Sequence, residues 1–418
     1  MQISRRRFLR DGLATVSLAY TAPYFLPDIA RAAGAGSRNL VVLYLAGGND
    51  SLNTVVPYTD PFYYSRRPNI AVPAGQVLQI GSDAAGRPLG LHPRLAAYRD
   101  LFGRGRLAIV QRTGYENSSR SHFQGADIWG TADPQSTSGT GWLGRYLDAV
   151  RANDVLAAWN TTRETPRALV ARTIGVPSIA DPGSYSASSP NSGATAAAER
   201  DVAMRVAASP VPGRPALAFV DSAALGAFDT LDRVAAVSKY RPAAGYPNTG
   251  LGLALKMVAG AMAGGVGTRI FWVSAGGFDT HAGQGNAGGG GYANLMNTLN
   301  DGVRAFMDDL TSQGLLDSTL VLQFSEFGRR ISENGSQGTD HGAAGTVMAF
   351  GGGVRGGLYG TAPVLDPAAG NPTLENGGGD VHFETDFRAV YAKVLDGWLG
   401  VNSTAILGGN FQTGPAFL

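Results

Sequence analysis

Asp50, Asp279, His281 and Glu326 each follow a short apolar run of strand-forming residues, at positions 40–45, 268–274 and 320–324, and His341 follows one of these sites by a loop. In open α/β sheets, ligand-binding and active-site groups gather beyond the carboxyl ends of strands. The chain holds only five histidines, and two of them stand beside carboxylates, in Phe278-Asp279-Thr280-His281 and Thr339-Asp340-His341-Gly342. Imidazole nitrogen and carboxylate oxygen are the donors of a divalent metal centre. On an extended segment Asp279 and His281, two apart, converge on one ion; the alternative is a turn aspartate beside a surface histidine. His341 is a candidate ligand, and Asp340 a ligand or the hydrogen-bond partner that orients the His341 ring.

The remaining polar residues supply other parts of a hydrolytic site. Glu326 and Arg329 close one strand; the carboxylate suits a metal and the guanidinium an anionic substrate, although a solvated ion-pair cluster has the same composition. Ser121-His122-Phe123-Gln124 has the form of a capping box, with Ser121 capping and Gln124 reciprocating. A helix N-terminus also stabilises an anion, and a metal beside it would convert the Ser121 hydroxyl to an alkoxide nucleophile, with Ser119 as the alternative. His122 is a candidate ligand or general acid. Gly47-Gly48-Asn49-Asp50 lacks the spacing of a dinucleotide fingerprint, so Asp50 is a cap or a metal ligand. His92, before Pro93, reads as structural, and His382 is assigned no role.

Alternating strands and helices must position these groups. Buried strands are expected at 40–46, 107–115, 168–174, 216–220, 268–274, 320–324 and 346–350. Helical spacing is expected from about Ser121, at 194–208, 251–262 and 292–310, and after a Thr385 cap, where Phe387, Val390, Tyr391, Val394, Leu395 and Trp398 recur. The pattern predicts an α/β fold, a largely parallel central sheet with helices on both faces. The Ser/Pro/Gly-rich stretch 176–215 reads as a cap or insertion on the sheet.

The first residues read as a targeting signal. Ser4-Arg5-Arg6-Arg7-Phe8-Leu9-Arg10 is a twin-arginine pattern, the stretch 12–26 is moderately apolar, and Ala30-Arg31-Ala32 is a cleavage site. Residues 1–32 are thus expected to engage the twin-arginine translocase, leaving residues 33–418 as a periplasmic or secreted α/β domain. The apolar stretch is too short and too polar for a permanent membrane anchor. The chain has no cysteine, which excludes disulfides, thiolate ligands and a cysteine nucleophile. Its formal net charge of +2 owes much to the five arginines of the signal, so bulk charge does not suggest nucleic-acid binding.

Taken together, Leu45-Ala46-Gly47-Gly48-Asn49-Asp50, Arg120-Ser121-His122-Phe123 with Asp127-Ile128-Trp129, Gly277-Phe278-Asp279-Thr280-His281, Ser325-Glu326-Phe327-Gly328-Arg329 and Thr385-Asp386-Phe387-Arg388 resemble the exported family called domain of unknown function 1501. The resemblance implies the alkaline phosphatase and sulfatase superfamily, hence an alkaline-phosphatase-like sandwich. It implies one or two divalent ions, zinc, manganese, magnesium and calcium being undistinguished. One ion would be held by Asp50, Glu326 and Asp340, the other by Asp279, His281 and His341, with Ser121 as nucleophile and Arg120 or Arg329 on the anion. Two departures from the superfamily pattern stand out. Asp279 and His281 are two apart rather than four, and Glu326 is followed by Phe327 rather than histidine. The implied activity is metal-dependent hydrolysis of a small or polymeric phosphate or sulfate ester. The alternatives are a non-catalytic periplasmic binding or assembly protein on the same fold, or a metal-free serine hydrolase, for which no G-x-S-x-G elbow is present.

Overall fold

The run after Arg38 has no charged side chain and forms the central strand of the sheet, buried on both faces as such runs are. The computed structural model describes residues 38–185, 189–209, 214–368 and 370–418; the signal expected at residues 1–32 lies outside them. The main sheet has eight strands: β1 (Asn39–Leu45), β2 (Leu107–Gly114), β3 (Ala158–Asn160), β4 (Ile270–Ala275), β5 (Thr319–Phe324), β6 (Gly345–Gly351), β7 (Gly357–Tyr359) and β8 (Thr385–Asp386). Their order is β7-β2-β6-β5-β1-β4-β3, with β8 beside β2. Every pairing is parallel except the two made by β6.

Side chains alternate across the strands, so each strand feeds two cores. Val41, Leu43, Phe271, Val273 and Val321 pack against the helices Ala96–Gly103, Gly250–Ala263 and Gly291–Ser312. Leu40, Val42, Trp272, Leu320 and Leu322 face the helices His122–Thr131, Trp142–Ala149 and Phe387–Lys393. This is the α/β class that periodicity predicts. The register places the ends of β5, β1 and β4 side by side: Tyr44 pairs with both Ser274 and Phe324.

Four local expectations are corrected. Residues 168–174 are not a strand; a single 3₁₀ turn at Arg167–Leu169 is followed by irregular chain laid against Gly141, whose nitrogen donates to the Val170 carbonyl. Residues 216–220 begin the helix Pro215–Val237, because a short apolar run looks the same at either period until its continuation is counted. Thr385 does not cap the last long helix: it pairs with Thr113 in the sheet, and Asp386 accepts from the Arg388 nitrogen instead. The Ser121 capping box does not form, since the serine side chain makes no cap bond and Gln124 accepts from Ser119 Oγ at 2.9 Å. In the expected insertion, the helix Gly193–Ala207 packs on Pro215–Val237. No helix among the described residues is long and apolar enough to cross a membrane.

Candidate metal centre

Three adjacent parallel strands deliver the site. β1 runs into Gly47-Gly48, β4 into Asp279 and His281, and β5 into Glu326. The first two loops touch at Gly47, where φ is +121° and a Cβ would stand 2.4 Å from the Asp279 nitrogen. Only glycine allows that conformation and that approach. The helix His122–Thr131 brings His122 from the side, with Gly125 seated against Glu326 and Phe327. His341 arrives on a segment bridged antiparallel to Arg329.

The partners of the three imidazoles fix their tautomers. His341 Nδ1 lies 2.7 Å from the Arg120 carbonyl oxygen, which can only accept, so Nδ1 carries the hydrogen. His122 Nδ1 lies 2.7 Å from Glu326 Oε1, and His281 Nδ1 3.2 Å from Asp340 Oδ1. Asn334 donates to Asp340 and, against some burial and with His281 assisting, keeps that carboxyl below its usual range, so it too accepts. With its hydrogen on Nδ1, a neutral ring at each of these positions presents a bare Nε2. These lone pairs converge on Asp279. His281 Nε2 and His341 Nε2 are 2.9 Å apart, and each lies 3.1 Å from Asp279 Oδ1. His122 Nε2 is 3.4 Å from Asp279 Oδ2. Lone pairs at such distances repel unless a cation or a shared proton lies between them. Among the described residues, the group whose donor atoms could share one ion is His122, Asp279 and His341, all within 4.8 Å. His281 closes a second triangle on the same two partners.

Asp279 is ionised in this setting. Burial opposes its charge, but the hydrogen bond and the positive charge of Arg329 hold the carboxyl well below the usual carboxylate range.

Residues 37–376 match the family model described as "Protein of unknown function (DUF1501)". The chain belongs to this family. No curated protein matches it. Among solved structures it is similar to the PsFucS1 sulfatase from Pseudoalteromonas sp., at 13% identity and a TM-score of 0.34, over 80% of this chain and 66% of that one. This chain thus spans just under two thirds of that sulfatase's length.

The DUF1501 chain brings together His122, Asp279, His281 and His341, and uses the other candidates differently. Glu326 is 1% exposed and occupied by the Gly47 nitrogen (2.8 Å), Ser325 Oγ (3.0 Å) and His122. It orients His122 rather than meeting the Nε2 atoms. Asp340 orients His281, not its chain neighbour His341. Asp50 is buried beneath the cluster, its Oδ2 paired with Arg67 at 2.7 Å and Gln284 at 2.6 Å; its Oδ1 has no partner, but no ligand group of the described residues includes it. The set Asp50, Glu326 and Asp340 expected from the resemblance is therefore dispersed among protein donors.

Arg329 is placed where no anion reaches it. It is 2% exposed, and its guanidinium donates to the carbonyls of Gly47, Gly48 (2.7 Å), Phe278 (3.1 Å) and Thr339 (2.6 Å) and to Asp279 Oδ1 (2.6 Å). It staples three loops together. Ser121 is exposed at the N-cap, and no hydrogen bond to a described residue engages its hydroxyl. The role of Arg67 was missed at the sequence level; an arginine before Pro68 carries no signal that a buried aspartate awaits it.

Proposed function

We propose that this protein is an exported, metal-dependent hydrolase of phosphate or sulfate esters, built around one ion rather than two. The observation that carries the reading is the convergence of three Nε2 lone pairs on an ionised Asp279, each ring fixed through its Nδ1 by an acceptor. Acceptors behind metal-bound histidines play this orienting part in known centres. The donor set fits a metal: His122, His281, His341 and Asp279 would hold it, and three imidazoles favour zinc, iron, copper or nickel over magnesium or calcium. Such an ion, when bound, supplies Lewis acidity toward an ester oxygen and lowers the pKa of a nearby hydroxyl.

The chain's own residues do the rest. Glu326, Asp340 and the Arg120 carbonyl hold the rings against rotation. Asp279 balances positive charge at the centre. The first N–H groups of the helix His122–Thr131 favour an anionic ester oxygen at Ser121, whose hydroxyl is free to attack. The export assignment rests on the sequence of residues 1–32.

Metal content tests the reading, measured by mass spectrometry on full chain purified from its export route. One ion per chain, lost in the Asp279→Ala/His281→Ala double variant, is expected, together with turnover in a screen of phosphate and sulfate esters. A folded wild type without stoichiometric metal would refute it and favour the non-catalytic binding protein.

A further inference from the structure

Asp380 is fully buried, yet it faces two arginines of the surface. Its Oδ2 accepts from Arg120 Nη2 at 2.5 Å and from Asn376 at 3.1 Å, and Arg330 Nε lies 3.6 Å from its Oδ1. Arg120 also binds Glu375 at 3.0 Å and the Ser118 carbonyl at 2.6 Å. Arg66 closes the same loop through the Gly378 carbonyl at 2.6 Å. Three guanidiniums thus surround the two carboxylates of this loop, and the Arg330 charge also helps hold the nearby Asp340 carboxyl below its usual range.

Among these arginines it is Arg330 whose donors stay free. Its side chain is 44% exposed, and its guanidinium makes no hydrogen bond to a described residue beyond the long approach to Asp380. Arg120 keeps 35% of its side chain exposed. Both arginines hang from the segments that position the histidines. The Arg120 carbonyl holds His341, and the Arg330 nitrogen donates to the Asp340 carbonyl at 2.9 Å, Asp340 being the partner of His281. The Asp340 carboxyl feels both His281 and, more weakly, the Arg330 guanidinium, which belongs to the rim of the centre rather than to the centre itself.

We propose that Arg330 and Arg120 form a subsite for a second anionic group of the substrate, so that the preferred ester carries two negative groups, one at the histidine cluster and one on the guanidinium rim. The inference rests on the hydrolase reading above. Guanidinium forks bind phosphate and sulfate oxygens in pairs, and Asp380 holds Arg120 in place while the Arg330 donors stay free.

The test uses the full zinc-loaded chain and titration calorimetry with fructose 6-phosphate and fructose 1,6-bisphosphate. The bisphosphate is expected to bind about tenfold tighter, a preference of the size that one charged hydrogen-bonding group supplies. The ratio should shrink as salt is raised. In Arg330→Gln it should fall most of the way to one, and Arg330→Lys should lie between, keeping the charge without the fork. Arg120 and Asn376 stay on the Asp380 carboxylate when the long Arg330 approach is lost, so both variants should fold. A wild-type ratio near one, or a wild-type ratio retained in Arg330→Gln, with the monophosphate still bound, overturns the subsite and leaves the hydrolase reading standing. If the zinc-loaded wild type binds neither sugar phosphate, the subsite is overturned, and the hydrolase reading stands or falls on metal content.

Discussion

Replacing Arg329 by methionine separates two roles for this residue. Methionine keeps the apolar stem and removes every donor. Four backbone carbonyls, at Gly47, Gly48, Phe278 and Thr339, lose a partner, and Asp279 loses its nearest cation. A buried acceptor left unpaired costs about 1–3 kcal/mol. These costs do not add, because Gly47 and Gly48 can turn toward water once the staple is gone and Asp279 is partly exposed. The loss equivalent to two such acceptors, about 2–5 kcal/mol, is the expected fall in unfolding free energy. It is a third or more of the roughly 5–15 kcal/mol that a domain possesses. Urea unfolding with chelator present, wild type beside Arg329→Met, reads it directly as a lower midpoint at similar slope. Metal affinity should fall as well, since Asp279 and the loops that carry it lose their anchor. If Arg329 instead existed to hold a substrate anion, its removal would leave stability unchanged or higher and alter only substrate affinity. Coincident unfolding midpoints would therefore refute the staple.

Two further outcomes follow from buried or free groups near the site. His92 is fully buried, and burial, then Arg94, push its pKa down to about 4, Asp50 opposing. It stays neutral when folded, whereas the unfolded chain takes up a proton below about pH 6.5, so its contribution is complete above that pH and is lost as pH falls toward 4, by at most about 3 kcal/mol. His92→Asn keeps an acceptor for the Arg94 nitrogen and should flatten stability against pH across that window; a profile parallel to wild type would count against burial as the cause. Ser121→Ala should fold normally, its hydroxyl being free, and lose turnover by about a thousandfold or more if Ser121 is the nucleophile; full turnover would pass that role to Ser119 or to water.

The sheet's centre was legible because a strand buried on both faces has to be written as an unbroken apolar run. Residues 40–45 have that form outright, and 268–274 and 320–324 hold it over Ile270–Val273 and Leu320–Leu322; the three stretches are β1, β4 and β5 within a residue or two. Groups just beyond three such runs are neighbours once the runs pair in parallel, and so Asp279, His281 and Glu326 could be grouped without coordinates. Short strands were not legible. Ala158–Asn160, Gly357–Tyr359 and Thr385–Asp386 are strands because β4 or β2 offers a free edge at that height, a property of the partner and not of three residues.

The roles within the cluster were harder still, because composition does not say which way a side chain points. Arg329 and Arg330 are chemically alike, and a segment paired with its neighbour sends successive side chains to opposite faces. One therefore enters the protein and is consumed by five acceptors, and the other stays at the rim with its donors free. The same alternation separates Asp340 from His341. His341 turns to Asp279, while Asp340 reaches past its neighbour to His281. A reading by residue type assigns all four to one centre. Parity along the segment divides them into an internal staple, a ligand, an orienting carboxylate and an anion-seeking rim, and that division turns on whether the ladder begins at Arg329 or one residue later, which a single sequence leaves open.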